Sequence, residues 1–263
     1  MKMDLHSFQI VEEFLSRNVN GIESWQLDYF TDHKKRFQAD LELVLEQNPK
    51  GPILEIGSAP GHMTALLAMH NLDITGVDLA PERVASISNE FKLNIQACDI
   101  ELAPLPFSDN SFEYIVFSEV FEHLRIDLPF TLSQLNRVLV PGGKLLLTTP
   151  NVYSLPSIAR FLTGRSIADP IIEFGKLRGL GHMGHVREYS SKEVGRCLEA
   201  SGFVLNSTNY RYHKNNRSKK KALLSLAYRM VPSKFHREVV IVAEKVASAD
   251  KFDPIVNLPT ANN

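Results

Sequence analysis

Residues 53–63 read ILEIGSAPGHM: an apolar run holding one acid, then Gly57 and Gly61 on either side of Ser58, Ala59 and Pro60. A short apolar run closed by glycine predicts a buried strand that leaves into a tight turn. Glycines at such a turn let something small approach the backbone closely. The choice lies between a phosphate, a dinucleotide and another cofactor.

Outward from this stretch, short apolar runs alternate with helical patterns. Strands are predicted at 53–56, 73–77, 94–97, 112–117 and 144–149, and helices at 61–70 and 81–92, the second opened by Pro81. Leu128, Leu132, Leu135 and Leu139 recur at helical spacing ahead of a turn at Pro141-Gly142-Gly143. Such repeats predict a doubly wound α/β fold, a mostly parallel sheet with helices on both faces and right-handed crossovers. After Pro150 the pattern loosens. Residues 164–185 carry five glycines and no clear period, which predicts a long functional loop. Ser190 and Glu193 have capping-box spacing and open a helix that Gly202 ends. Two last strands are expected at 203–210 and 238–243, with a basic amphipathic helix at about 219–230 between them. The first 48 residues read as two helices, and 248–263 as a frayed tail.

The 263 residues suffice for one large core plus a small appendage. With 44% apolar and 22% charged residues and a net charge of −1, the composition argues against a dedicated nucleic-acid binder, although it leaves room for local patches. Cys98 and Cys197 lack metal-ligand spacing and suggest a reducing compartment. Asp4, Glu12 and Glu13 interrupt the N-terminus, no stretch has the length of a membrane span, and a soluble cytoplasmic protein is expected.

A phosphate-binding loop requires Gly-Lys-Ser/Thr, whereas His62 and Met63 follow Gly61. A dinucleotide fold requires G-x-G-x-x-G, which Gly57, Ala59 and His62 do not supply. A nucleoside cofactor without a pyrophosphate remains. Asp78 follows Gly57 by about twenty residues, where an acid can take both ribose hydroxyls. Asp99, past the third strand, is placed to accept from an adenine amino group. The plainer alternative has both acids only capping the helices that follow them.

The ordered set LEIGSAPG, ITGVDLAPERV, ACDIELAPLPFSDNSFEYIVFSEVFEHL and RVLVPGGKLLLTTPN resembles class I S-adenosylmethionine-dependent methyltransferases over about residues 50–245. The resemblance implies a seven-stranded Rossmann-like sheet whose last strand is antiparallel. It also implies that Gly57, Ser58, Ala59 and Gly61 approach the methionine part, while Glu55 orients the loop. Asp78 and Leu79 would hold the ribose, Asp99 and Ile100 the adenine, and Ser118 would border the sulfonium. The Ser58-Ala59-Pro60 insert departs from the usual central glycine. Ribosomal-RNA ribose methyltransferases carry a similar insert, but their Lys-Asp-Lys-Glu tetrad is not found here.

Methyl transfer from a sulfonium requires alignment and exclusion of water, and a hydroxyl acceptor must also lose its proton. A general base or a bound divalent ion can take that part. If SEVFEHL turns helically, Glu119, Glu122 and His123 share one face. With His182 or His185 they would suit Mg, Mn or Zn, and His123, Glu119 and His185 form the candidate catalytic set. The arrangement is similar to ubiquinone-pathway O-methyltransferases and to small-RNA 3′-end ribose methyltransferases. Many relatives of the class carry the same residues with no metal shown, and there His123 is a base or only structural.

Trp25, Tyr29, His33, Arg36 and Phe37 lie before the first strand, in a 1–48 helical lid that covers the cofactor or packs on the sheet edge with Arg36 solvated. The methyltransferase domain is expected at 49–247, with a substrate-side insertion around 151–188. Arg160, Arg165, Lys176 and Arg178 in that insertion suit an anionic or polyhydroxylated acceptor, or else lie on a solvated loop. Arg211, Lys214, Arg217, Lys219, Lys220 and Lys221 form a basic segment, readable as a solvated flank or as a patch for phosphates, RNA or an anionic membrane. The leading expectation is O-methylation of a sugar, glycan precursor or small metabolite, since the late motifs are also similar to bacterial glycan and natural-product methyltransferases. The alternatives are an RNA terminal-ribose 2′-O-methyltransferase and a non-catalytic cofactor-binding subunit.

Overall fold

The computed structural model describes residues 3–17, 25–180, 184–212, 228 and 230–249. Its centre is a seven-stranded sheet ordered β3-β2-β1-β4-β5-β7-β6. The strands are β1 (Ile53–Ile56), β2 (Ile74–Asp78), β3 (Asn94–Ala97), β4 (Phe112–Ser118), β5 (Leu139–Pro150), β6 (Phe203–Arg211) and β7 (Glu238–Lys245). β7 is antiparallel to both neighbours, and the pairings among β1 to β5 are parallel. The doubly wound reading therefore holds, including the antiparallel last strand.

Every residue of β1 is buried, as a strand covered on both faces requires. Alternation along β4 sends Ile115 and Phe117 to one core and Tyr114 and Val116 to the other. The first core is closed by α5 (Leu128–Val138) and α8 (Ser191–Ala200). The second is closed by α1 (Leu5–Arg17), α2 (Trp25–Gln47), α3 (His62–Met69) and α4 (Ala85–Phe91). Fully burying one such aliphatic or aromatic side chain contributes about 1.5–3 kcal/mol, so either face alone supplies a strong drive to cover it. The capping box at Ser190 and Glu193 is present as expected.

Two expectations need correction. The Pro141-Gly142-Gly143 turn lies within β5, where the register against β4 jumps from Leu139 to Lys144, so it forms a bulge rather than a strand boundary. The stretch 164–185 is not one long loop. After α6 (Leu155–Leu162), residues Pro170–Leu180 form α7, on which Ile171, Ile172 and Phe174 are exposed and Glu173 is buried. With apolar residues outside and an acid inside, α7 carries no amphipathic period to read. The basic helix expected at 219–230 lies outside the described residues apart from Tyr228 and Met230, as does the tail apart from residues 248 and 249.

Candidate active site

The site is built on the carboxyl edge of β1, β2, β4 and β5. β1 ends in Gly57 at φ +73°, and Gly61 at φ +85° opens α3. A side chain at Gly57 would run into Val120, and one at Gly61 would meet Ile87 at 2.7 Å. The loop between them is tied to β2: Gly57 and Ser58 donate to Val77 O at 2.8 and 3.0 Å. Ser58 Oγ donates to Glu55 O, and Ala59 lies against the second core.

Asp78 stands at the end of β2, where its carboxylate accepts from Ala59 N and Ala80 N, both at 2.9 Å. The acid thus joins the glycine loop to the second strand, which a pure helix cap would not do. Asp99 accepts from Glu101 N at 3.1 Å in the turn after β3. Leu79 is exposed beside Asp78, while Ile100 packs on the first core. Glu55 is buried beneath the loop and accepts from the Thr64 hydroxyl. Burial pushes its carboxyl up to about 8, with Thr64 opposing and Asp78 reinforcing the change.

The folded chain therefore holds a proton on Glu55 that the unfolded chain releases near 4.5, and stability falls as pH rises from there to about 8. Glu55→Gln removes that titration. The melting temperature of the parent relative to the variant is expected to drop between about pH 5 and about pH 8, as the parent loses up to about 1.4 kcal/mol for each pH unit in that window. A difference independent of pH contradicts the assignment.

α2 covers this edge. Its Tyr29, Phe30 and Phe37 surround His62, with ring centroids 6.1, 5.1 and 5.7 Å away. Burial first, then Arg36 and His33, lowers His62 to about 3, so the ring is a neutral wedge between lid and loop. Trp25 and His33 extend the aromatic row through Tyr29, at 5.9 and 4.4 Å. Arg36 is not solvated: it is buried, donates to Tyr29 OH at 2.8 Å and pairs with Glu119 at 3.3 Å.

Ser118 Oγ donates to Asp40 of α2 at 3.1 Å. Asp40 is ion-paired with Arg211, whose Nε reaches Glu238 at 2.6 Å. This buried chain of charges joins α2, β6 and β7 to the end of β4. Sequence reasoning missed Asp40 and Glu238, and only the spacing of three separate elements could have revealed them.

The helical face expected for Glu119, Glu122 and His123 does not form. Glu119 adopts φ +56°, and only Phe121–His123 make a 3-10 turn. A left-handed non-glycine residue costs about 1–2 kcal/mol, and here it turns the Glu119 side chain back toward Arg36. Burial raises Glu119 to about 7, against the pull of Arg36. Glu119 accordingly lies outside the cluster that does form.

That cluster is Glu122, His123 and His185, whose ligand atoms all lie within 4.8 Å of one another. His185 arrives because the strand end at Asn151 bridges to Tyr189 and Val186 N donates to Glu122 O at 2.9 Å. Glu122 is fully buried, and Thr149 Oγ1 donates to its Oε2 at 2.9 Å. His123 Nδ1 lies 2.9 Å from Gly184 O, and His185 Nδ1 lies 3.4 Å from Glu188 Oε1. A carbonyl or carboxylate oxygen can only accept, so each Nδ1 carries a proton and each Nε2 is turned toward Glu122. Those two nitrogens stand 3.9 and 3.8 Å from Glu122 Oε1, which has no hydrogen-bond partner among the described residues. A carboxyl oxygen and two imidazole nitrogens thus face one another, a set that can share a proton or hold a cation. Burial, then the charge of Glu119, pushes Glu122 well above the usual carboxylate range. His182 lies outside the described residues.

A family model described as a methyltransferase domain matches residues 29–208. A probable S-adenosylmethionine-dependent methyltransferase of Mycolicibacterium smegmatis is 30% identical over 156 residues, covering 59% of this chain and 53% of its own. The ubiquinone/menaquinone biosynthesis C-methyltransferase UbiE of Desulfotalea psychrophila is 27% identical over 170 residues, 59% of this chain and 66% of its own. The chain thus spans about half to two-thirds of these relatives' lengths. The N-methyltransferase NodS of Bradyrhizobium japonicum, solved with S-adenosyl-L-homocysteine, superposes with a TM-score of 0.53 at 19% identity, over 92% of this chain and 99% of that one. At that identity the likeness is one of fold.

Proposed function

The chain belongs to the class I S-adenosylmethionine-dependent methyltransferases, and on that premise we propose that it methylates a hydroxyl oxygen of a sugar, glycan precursor or other small metabolite. The observation that carries the oxygen acceptor is the Glu122 carboxylate facing the Nε2 atoms of His123 and His185 at 3.9 and 3.8 Å. A hydroxyl must lose its proton as the methyl arrives, and this set could take that proton or hold an ion that lowers its pKa.

The cofactor supplies an electrophilic methyl group on a cationic sulfur. Gly57 and Gly61, both at positive φ, keep the turn tight and free of side chains, so that its backbone would lie against the methionine part. Asp78 and Asp99 would accept from ribose and adenine, each through lone pairs its backbone donors do not use. The α2 lid, locked by Arg36 on Glu119, excludes water from the same edge. Glu119 is thus a positioning residue rather than a base. A divalent ion held by Glu122, His123 and His185 would lower the pKa of an acceptor hydroxyl. In its absence the Nε2 atom of His123 takes that proton directly, while Gly184 O holds the ring in the required tautomer.

The experiment is transfer of labelled methyl from S-adenosylmethionine into lipid, glycan, RNA and small-molecule pools, with and without EDTA. Label is expected in an O-methyl group of the glycan or small-molecule pool. His123→Ala is expected to lower turnover about 100-fold or more while leaving S-adenosylhomocysteine affinity intact. Label on nitrogen or carbon overturns the oxygen reading, label in RNA favours terminal-ribose modification, and cofactor binding without transfer favours a non-catalytic subunit. Activity untouched by EDTA removes the ion and leaves the imidazole base.

A further inference from the structure

We propose that the cavity between α6 and α7 receives an oxyanion carried by the methyl acceptor, a phosphoryl or carboxylate group held by Arg165 and Arg160. The inference rests on the acceptor side of the reaction assigned above and names the chemical class of that acceptor.

The cavity measures about 650 Å³, and its wall includes Arg160, Arg165, Asp169, Lys176, His185 and Glu188. That volume is in the range of small-molecule sites. His185 belongs to the Glu122 cluster, so one molecule can place a hydroxyl at the cluster and another group deeper in the insertion. The formal charges of the wall cancel, but their pairing does not. Asp169 caps α7 by accepting from Ile171 N and Ile172 N at 2.9 and 3.4 Å. Glu173 pairs with Lys176 at 2.7 Å. Glu188 takes His185 at 3.4 Å and Ser157 Oγ at 3.5 Å. Each acid thus has a partner, although Glu173 Oε2 is buried without one among the described residues.

The two guanidiniums differ. Arg160 Nη1 donates to a neutral acceptor, Ile167 O, at 2.5 Å. Arg165 has no side-chain partner among the described residues. A turn brings the two residues together: Gly164 takes φ +72°, and Arg165 N donates back to Arg160 O at 3.0 Å. Both guanidiniums line the cavity, and neither pairs with a carboxylate among the described residues. A planar fork of donors matches the oxygens of a phosphoryl or carboxylate group.

The test is calorimetric titration of the full chain with inorganic pyrophosphate and, separately, succinate, beside a parallel titration with S-adenosylhomocysteine. The parent is expected to bind at least one anion saturably. Arg165→Gln should weaken that binding at least tenfold, Arg165→Lys should restore part of it, and both should leave S-adenosylhomocysteine affinity unchanged. The anion bound more tightly tells phosphoryl from carboxylate. Absence of saturable binding by either probe, or equal affinities in parent and Arg165→Gln, overturns the inference. Anion binding through Arg165 in a chain that ignores S-adenosylhomocysteine would leave this site standing and remove the methyl-transfer reading instead.

Discussion

Gly57→Val is expected to reduce S-adenosylhomocysteine affinity about 100-fold or more, the largest loss from any single substitution in the site. Two costs combine. Gly57 sits at φ +73°, a conformation that a β-branched residue adopts only as an outlier. The added side chain would also collide with Val120, and overpacking of that kind costs about 1–3 kcal/mol. With the backbone cost of about 1–2 kcal/mol added, the loop must shift, and its approach to the ligand is lost with it. Calorimetry measures the affinity, and circular dichroism reports whether the fold persists. A folded variant that binds as tightly as the parent would show that the ligand does not lie against this backbone.

Glu122→Gln is expected to lower turnover about 100-fold or more while keeping the fold and the cofactor affinity. Gln has the same shape, can still accept from Thr149 Oγ1, and leaves the Glu122 carbonyl free to accept from Val186 N. The placement of His185 therefore survives. What is lost is the titratable oxygen facing the two imidazoles, and with it either the ligand of a cation or the partner with which they share a proton. Radiolabel transfer gives the turnover and S-adenosylhomocysteine calorimetry the affinity. Parent-like turnover would reduce the cluster to packing.

The loop and acid that would hold the cofactor were legible in sequence because the arrangement is local. Strand, turn and helix lie within residues 53–69, glycine has few other reasons to stand at Gly57 and Gly61, and Asp78 ends the next strand. The contiguous Glu122 and His123, with His185 following the fifth strand, also reached the right neighbourhood. Glu119 left the expected helical face, because the spacing assumed a helix where the chain instead turns through a left-handed residue. The Arg36 pairing and the Asp40–Arg211–Glu238 chain were hidden for another reason. Their members come from distant parts of the sequence, and no period or motif connects Asp40 to Arg211 before the sheet is assembled. α7 was unreadable because its buried residue is an acid.

At the centre stands the loop after β1, clasped by the acid at the end of β2. Titrating S-adenosylhomocysteine into the parent and into Asp78→Ala tests that arrangement most directly. The parent should saturate at one site, and the variant should bind more than tenfold more weakly, since hydrogen bonds to a charged group contribute about 1.5–3 kcal/mol. No binding by the parent, or the same affinity in both proteins, would contradict the account.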